Sequence, residues 1–405
     1  MARDHRYVQL GLIAAMQVFG LAVWFSASAV VPTLREVWRI GDAQAVWLTA
    51  SVQVGFVAGA ITSAALNLPD RFPPQRVAAC SALGAALATA AVPVFADGFG
   101  VAVVLRLCTG FFLAGVYPVG MKLMASWFGS TGRGLALGVL VGALTLGSAL
   151  PQLLKGLGTL PWQGVLGAAA ALGAVAAVLA VTFVRPGPYL SGGAARHRPR
   201  YALEMFTERG PLLANLGYFG HMWELYALWT WLPSFVAAGS LAADTTAGLV
   251  AFAAIGVAGF AGCLLGGWAA DRYGRARAAG VALVISGACC VLSPLFYGTA
   301  LPVLLVLLVV WGAAVIADSG VFSTALSEVA DSRYVGTALT AQTAIGFLLT
   351  VVTINLVPVL ADLTGWRYAF LVLAPGPILG ALAMRALGGR AASASRPNQP
   401  IGETT

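Results

Sequence analysis

Charge is what this chain has least of. Only 9% of its 405 residues are Asp, Glu, Lys or Arg, against roughly a quarter in a soluble domain. That is too little polar surface to cover a water-soluble particle of this size, so a soluble enzyme or binding module is excluded. Long polar stretches are scarce too: before the tail, the longest is Arg185–Gly210. No phosphate-cradling loop, filter-like repeat or catalytic cluster of recognisable spacing occurs, which argues against an enzyme or a channel and implies no cofactor. There are five cysteines, Cys80, Cys108, Cys263, Cys289 and Cys290, all inside apolar segments. Their spacing suits no metal, and they are expected to be buried small hydrophobes without disulfides.

Long apolar runs are what the chain does have. Hydrophobic residues make up 59% of it, and 49 glycines suit close helix packing in lipid. Twelve segments approach the roughly 20 residues needed to cross a bilayer: 8–31, 44–66, 76–95, 101–124, 134–154, 163–184, 211–236, 246–270, 277–297, 301–326, 335–356 and 366–387. The first is long enough to be a spanning helix rather than a cleavable leader. The net charge of +8 comes from residues in the gaps between spans, so nucleic acid is not the expected partner. Eighteen Lys and Arg fall on the side holding both termini. Arg35, Arg39, Lys155 and Arg367 fall on the other, and Arg106 lies inside a span. The bias places both termini in the cytoplasm.

Two loops repeat half a chain apart. Asp70-Arg71-Phe72 is followed by Arg76, and Asp271-Arg272-Tyr273 by Arg277, a step of 201 residues from 70 to 271. A second echo pairs Arg133-Gly134 and Ala136 with Arg333, Gly336 and Ala338. Duplicated bundles with matching loops are a common build for secondary transporters, whose cargo binds between the halves.

The loop motif resembles that of the major facilitator superfamily, of the form G-x-x-x-D-R-x-G-R-[KR]. The second copy fits better, running Gly267, Asp271, Arg272, Gly274, Arg275 and then Arg277; in the first, Asn67 and Pro73-Pro74 replace expected residues. Arg106, Gly110 and Gly115 resemble the family's fourth helix, whereas Gly138, Gly142, Gly147 and Pro151 match its antiporter stretch loosely. Spans four and seven are faintly similar to nitrate, cyanate and organic-anion porters. The resemblance implies an all-α integral membrane protein of twelve helices in two six-helix pseudo-repeats. Residues 1–184 form the N-terminal bundle, 185–210 a cytoplasmic linker, 211–389 the C-terminal bundle and 390–405 a disordered tail. A monomer in a bacterial-type inner membrane is implied. Asp70, Arg71, Arg76, Asp271, Arg272, Arg275 and Arg277 are expected to act as a conformational gate, an Asp at one helix end pairing with Arg or with a neighbouring helix N-terminus.

A charge at the bilayer centre costs on the order of 3 kcal/mol or more, so the five ionisable groups within spans are candidates for function. Glu224 and His221 share a face of span seven, and such a pair can exchange a proton near neutral pH. Asp318 in span ten is a third proton-coupling candidate. Arg106 either holds an anion or bonds carbonyls of span one, and Lys122 either contacts substrate or snorkels. Tyr117, Trp24, Tyr218 and Gln342 complete the candidate substrate site; Gln17, Phe25, Ser26, Gln53 and Trp229 also lie near mid-depth. Two functions compete. One is proton-coupled movement of a small polar or anionic metabolite, using Arg106, Lys122 and His221. The other is proton-driven export of a lipophilic or cationic compound, attracted by Glu224 and Asp318 among aromatic rings. Either requires Glu224, His221 and Asp318 to lie at the seam between the halves.

Overall fold

The computed structural model describes residues 2–66, 68–128, 133–157, 160–190, 200–240, 244–331 and 334–394, and among these it is helical with no strand. The helices of the first half are α1 (Ala2–Leu21), α2 (Val31–Trp38), α3 (Asp42–Ala65), α4 (Leu68–Arg71), α5 (Pro74–Phe95), α6 (Phe99–Leu113), α7 (Tyr117–Trp127), α8 (Arg133–Gly156) and α9 (Trp162–Thr182). Those that follow are α10 (Tyr201–Glu204), α11 (Arg209–Ser240), α12 (Asp244–Ala251), α13 (Gly259–Tyr273), α14 (Arg275–Phe296), α15 (Leu301–Ala317), α16 (Ser319–Val329), α17 (Val335–Thr364), α18 (Trp366–Ala369) and α19 (Pro375–Ala394). Among the described residues, ten stretches are helical, long and apolar enough to cross a membrane. The expected spans at 8–31 and 211–236 correspond to α1 and α11, of 20 and 32 residues.

Four expected spans are broken rather than continuous, the twelfth by a 3-10 turn at Phe370–Leu373 between α18 and α19. The first stops at Leu21, turns through residues 22–27 and resumes after a 3-10 turn as α2. The fourth breaks between α6 and α7, one turn before Pro118, whose ring leaves no N–H to continue the ladder. The tenth breaks at Asp318, between α15 and α16. The breaks at Val116 and Asp318 lie 202 residues apart, so they repeat with the loops. α19 also continues four residues past Arg390, where the tail was expected to begin; residues 395–405 lie outside the described residues.

Within each half, small residues bring helix backbones together. A side chain at Gly110 of α6 would strike the Val52 carbonyl of α3, and one at Gly312 of α15 would strike the Ala254 carbonyl. The two glycines are again 202 residues apart and occupy equivalent crossings. Helices of different halves also pack: α3 against α17, and α8 against α13. The linker is docked at both ends. Trp127 Nε1 donates to Arg185 O at 2.8 Å, and Tyr201 OH accepts from the Asp331 N–H at 2.8 Å. Residues 191–199, which hold Arg196, His197, Arg198 and Pro199, lie outside the described residues. All five thiols are free, but Cys80 and Cys108 are exposed rather than buried as expected, because their helix faces turn outward from the bundle.

Candidate functional site

The broken helices leave backbone carbonyls without helical partners in the interior, where each must be met by a side chain. Arg106 meets those of the first break. Its Nη1 donates to Val23 O at 3.0 Å and Ser26 Oγ at 3.1 Å, its Nη2 to Trp24 O, and its Nε to Leu48 O at 3.4 Å. The guanidinium is fully buried, and these bonds tie α6 to the first break and to α3. Of the two expectations for Arg106, this geometry matches bonding to span-one carbonyls; its donors face backbone, not open space. At the second break, Gln17 Nε2 donates to Val116 O at 2.9 Å.

Aromatic rings from both halves meet at the centre. Trp24 packs on Phe56, Tyr226 and Phe347 with centroids 5.1, 5.7 and 5.5 Å away, and Phe25 stacks on Tyr226 at 5.8 Å. Trp229 sits edge-on to Phe25 at 5.8 Å. Trp24, Phe25 and Phe56 come from the first half, and Tyr226, Trp229 and Phe347 from the second. The same interior carries buried polar atoms without partners among the described residues: Trp24 Nε1, Trp229 Nε1, and both amide atoms of Gln53 and Gln342. Such groups cost about 1–3 kcal/mol each when left unpaired. Gln53 lies one turn from Phe56 on α3. Tyr218 is buried against Gly346, one turn from Gln342 on α17. Tyr117 and Lys122 are half-buried on α7, with Tyr117 packed against the same core.

On one side of this aromatic floor lies a cavity of about 330 Å³ between the halves. Thr49, Gln152 and Thr230 line it, with Arg35 and Lys155 as its two cations. Lys155 Nζ lies 3.3 Å from Thr33 Oγ1. On the other side the seam narrows to about 20 Å³ between Gly134, Gly138, Cys263, Gly267 and Gly320. The space at the Arg35 end is thus the larger of the two, and the floor residues Trp24, Gln53 and Gln342 are themselves buried.

The three expected coupling residues separate into two sites. His221 does not pair with Glu224. Its Nδ1 lies 2.9 Å from Asp318 Oδ1, and its Nε2 shares a hydrogen bond with Ser319 Oγ at 2.6 Å, so it holds the break between α15 and α16. One residue further on, Gly320 faces Val141 of the first half, which puts this pair beside the seam. Glu224 instead lies inside the second half, 1% exposed, and accepts from Ser286 Oγ, Cys290 Sγ and Trp311 Nε1 of α14 and α15. The expectation that all three share the seam is corrected for Glu224. A helix face fixes which way a side chain points, not what another helix brings to it. Ser286 carries no charge to draw attention and Cys290 reads as a small hydrophobe; their four-residue spacing on span nine was the available signal.

At the narrow end, the Asp271 carboxylate sits directly over Gly134, in the first turn of α8 and in the opposite half. A carboxylate there faces the positive end of the helix. Any side chain at Gly134 would collide with it. Arg275 Nε donates to Glu328 Oε1 at 2.6 Å, and its Nη1 lies 3.9 Å from Asp271. Arg71, Arg76, Arg272 and Arg277 are exposed; the side chains of Asp70 and Arg133, and all of Arg333, lie outside the described residues.

The fold is shared with known proteins. A protein from Pseudomonas putida described as a gallate transporter is 26% identical over 316 residues, covering 69% of this chain and 68% of its own. The crystal structure of the transporter FucP in its outward conformation superposes with a TM-score of 0.68, covering 94% of this chain and 99% of FucP at 15% identity, which shows a shared fold. The family model of the Major Facilitator Superfamily matches residues 12–353 and 214–404. The chain is a transporter, not an enzyme, and it belongs to the Major Facilitator Superfamily.

Proposed function

We propose that this protein carries a small organic anion, of the hydroxylated aromatic carboxylate class, across the membrane together with protons. The observation that carries this reading is the aromatic floor between the halves with its unpartnered amides and indole N–H groups. Flat rings suit a flat aromatic cargo, and Gln53, Gln342, Trp24 and Trp229 offer hydrogen bonds to its hydroxyl and carboxylate oxygens. Arg35 and Lys155 would gather the anion into the cavity above. The gallate transporter relative moves a compound of this class. His221–Asp318 would carry the coupled proton, since a histidine beside a carboxylate at a helix break changes its bonding when it titrates. Asp271 over Gly134 would hold the narrow end shut until the halves, 1–184 and 211–389, rock about the seam. Both termini would face the cytoplasm, as the arginine distribution favours.

Cation export is the weaker reading here. It needs a carboxylate free to receive the cargo, and Glu224 is already surrounded by three donors while Asp318 faces His221. A counterflow panel on proteoliposomes separates the two. Hydroxybenzoates should exchange with and compete against one another, and lipophilic cations should do neither; the reverse outcome establishes export.

Two variants test single residues. Gln342→Ala should raise the half-saturation concentration about tenfold, the cost of losing one hydrogen bond to a charged group. It should not lower thermal stability, because the amide has no partner among the described residues. A variant that melts early and binds normally would make Gln342 structural. Glu224→Gln places an NH₂ group among donors, so it should melt earlier while the protons moved per anion stay unchanged. A stable variant with lost coupling would return Glu224 to proton transfer.

A further inference from the structure

The flank of the second half carries a groove that the transport path does not use. It encloses about 1330 Å³ between the starts of α11 and α14 and the ends of α16 and α19. It lies at the end of the bundle where the arginine-rich loops gather. Arg209, Arg277 and Arg385 stand at its rim, exposed and without an ion-pair partner among the described residues. Arg275 is there too, but Glu328 occupies it, and Glu208 is the remaining acid. Four guanidiniums against two carboxylates leave the rim positive by two.

Below the rim the wall turns apolar. Val281, Val284 and Leu382 are 54%, 60% and 58% exposed, facing away from the buried Ala279 and Leu283 that hold α14 to the bundle. Gly280 lets α14 approach α19 at the level of Met384. Cations at the arginine-rich end above an aliphatic wall about one turn long form an amphipathic site, not a pocket for a free ion. Basic pockets between helices at the cytoplasmic face suit anionic headgroups.

We infer that this groove binds an anionic phospholipid, its phosphodiester on Arg209, Arg277 and Arg385 and an acyl chain along Val281, Val284 and Leu382. Because Arg275 and Glu328 share the rim beside the last turn of α13, which bears Asp271, bound lipid would brace that turn at the narrow end of the seam.

Native mass spectrometry of the full-length protein, offered equal amounts of phosphatidylglycerol and phosphatidylcholine, tests this. The wild type should retain phosphatidylglycerol in preference. The R277Q/R385Q variant should lose that preference by at least about fivefold, the worth of one basic residue near an anionic surface. The R71Q/R76Q variant, which removes two exposed arginines of the first half, should keep it. Val284→Trp, which fills the apolar wall and leaves every arginine in place, should also weaken retention. The inference fails if R71Q/R76Q loses as much as R277Q/R385Q, since the effect is then bulk charge. It fails equally if inorganic phosphate displaces the lipid and V284W binds normally, since the rim then holds free anions.

Discussion

Asp318→Asn is expected to abolish concentrative transport while leaving exchange intact. With one proton moved per anion, a gradient of one pH unit supplies about 1.4 kcal/mol, or about tenfold accumulation. Proteoliposomes bearing the wild type should approach that ratio when the Arg35 side is acidic. The Asn variant should reach no more than equal concentrations, because an amide beside His221 cannot take up or release a proton. Counterflow should persist, since it needs the aromatic floor and the moving halves but no coupling. His221→Gln should behave alike, and the double variant should be no worse than either, as expected for residues that act as a unit. Tenfold accumulation by the Asn variant would remove the pair from coupling. Loss of counterflow as well would make it part of the moving frame instead.

Arg106 should give the largest loss of stability. Its guanidinium supplies three bonds to the first break and a fourth to Leu48 O of α3. Arg106→Ala strands the Trp24 carbonyl in the dry interior and leaves Val23 O with only the Ser26 hydroxyl, at a cost of about 3 kcal/mol or more. Little folded protein should be recovered, and its melting temperature should fall further than for any variant above. Arg106→Lys should rescue only part of this, because one ammonium cannot span acceptors on two helices as the planar fork does. If the alanine variant melts normally and simply fails to bind anions, Arg106 belongs to the cargo site.

The Gly134→Val change acts on the other end of the seam. It should push the Asp271 carboxylate off the start of α8 and raise the reactivity of thiols introduced along the narrow side, such as Val141→Cys, several-fold. Unchanged labelling would show that this contact does not hold the seam shut.

The fold was legible because lipid imposes a length on every span and the duplication imposes a period. The 201-residue step between Asp70 and Asp271 returns within one residue, as 202, at the breaks near Val116 and Asp318. The breaks themselves were hidden. Apolar composition continues straight through residues 22–27, and only Pro118 hinted at the one in span four. The sequence draws attention to the charged residues at mid-depth but not to their partners. His221 and Glu224 share a face three residues apart, yet α14 and α15 bring Ser286, Cys290 and Trp311 to one while Asp318 and Ser319 meet the other. Those partners sit on helices 60 to 100 residues away, where periodicity gives no bearing. The aromatic floor was half visible: Trp24, Phe25, Trp229 and Gln342 stood out at mid-depth, while Phe56 and Phe347, uncharged rings in apolar spans, gave no signal.

Photolabelling decides whether cargo rests where the halves meet. A hydroxybenzoate bearing a diazirine, activated on the purified protein, should mark peptides from both halves, around Trp24–Phe25 and around Tyr226–Trp229 or Gln342–Phe347. Excess unlabelled hydroxybenzoate should prevent the labelling. Labels confined to one half, or spread over outward-facing residues such as Leu87 and Val306 and indifferent to competitor, would contradict a binding floor shared by the two bundles.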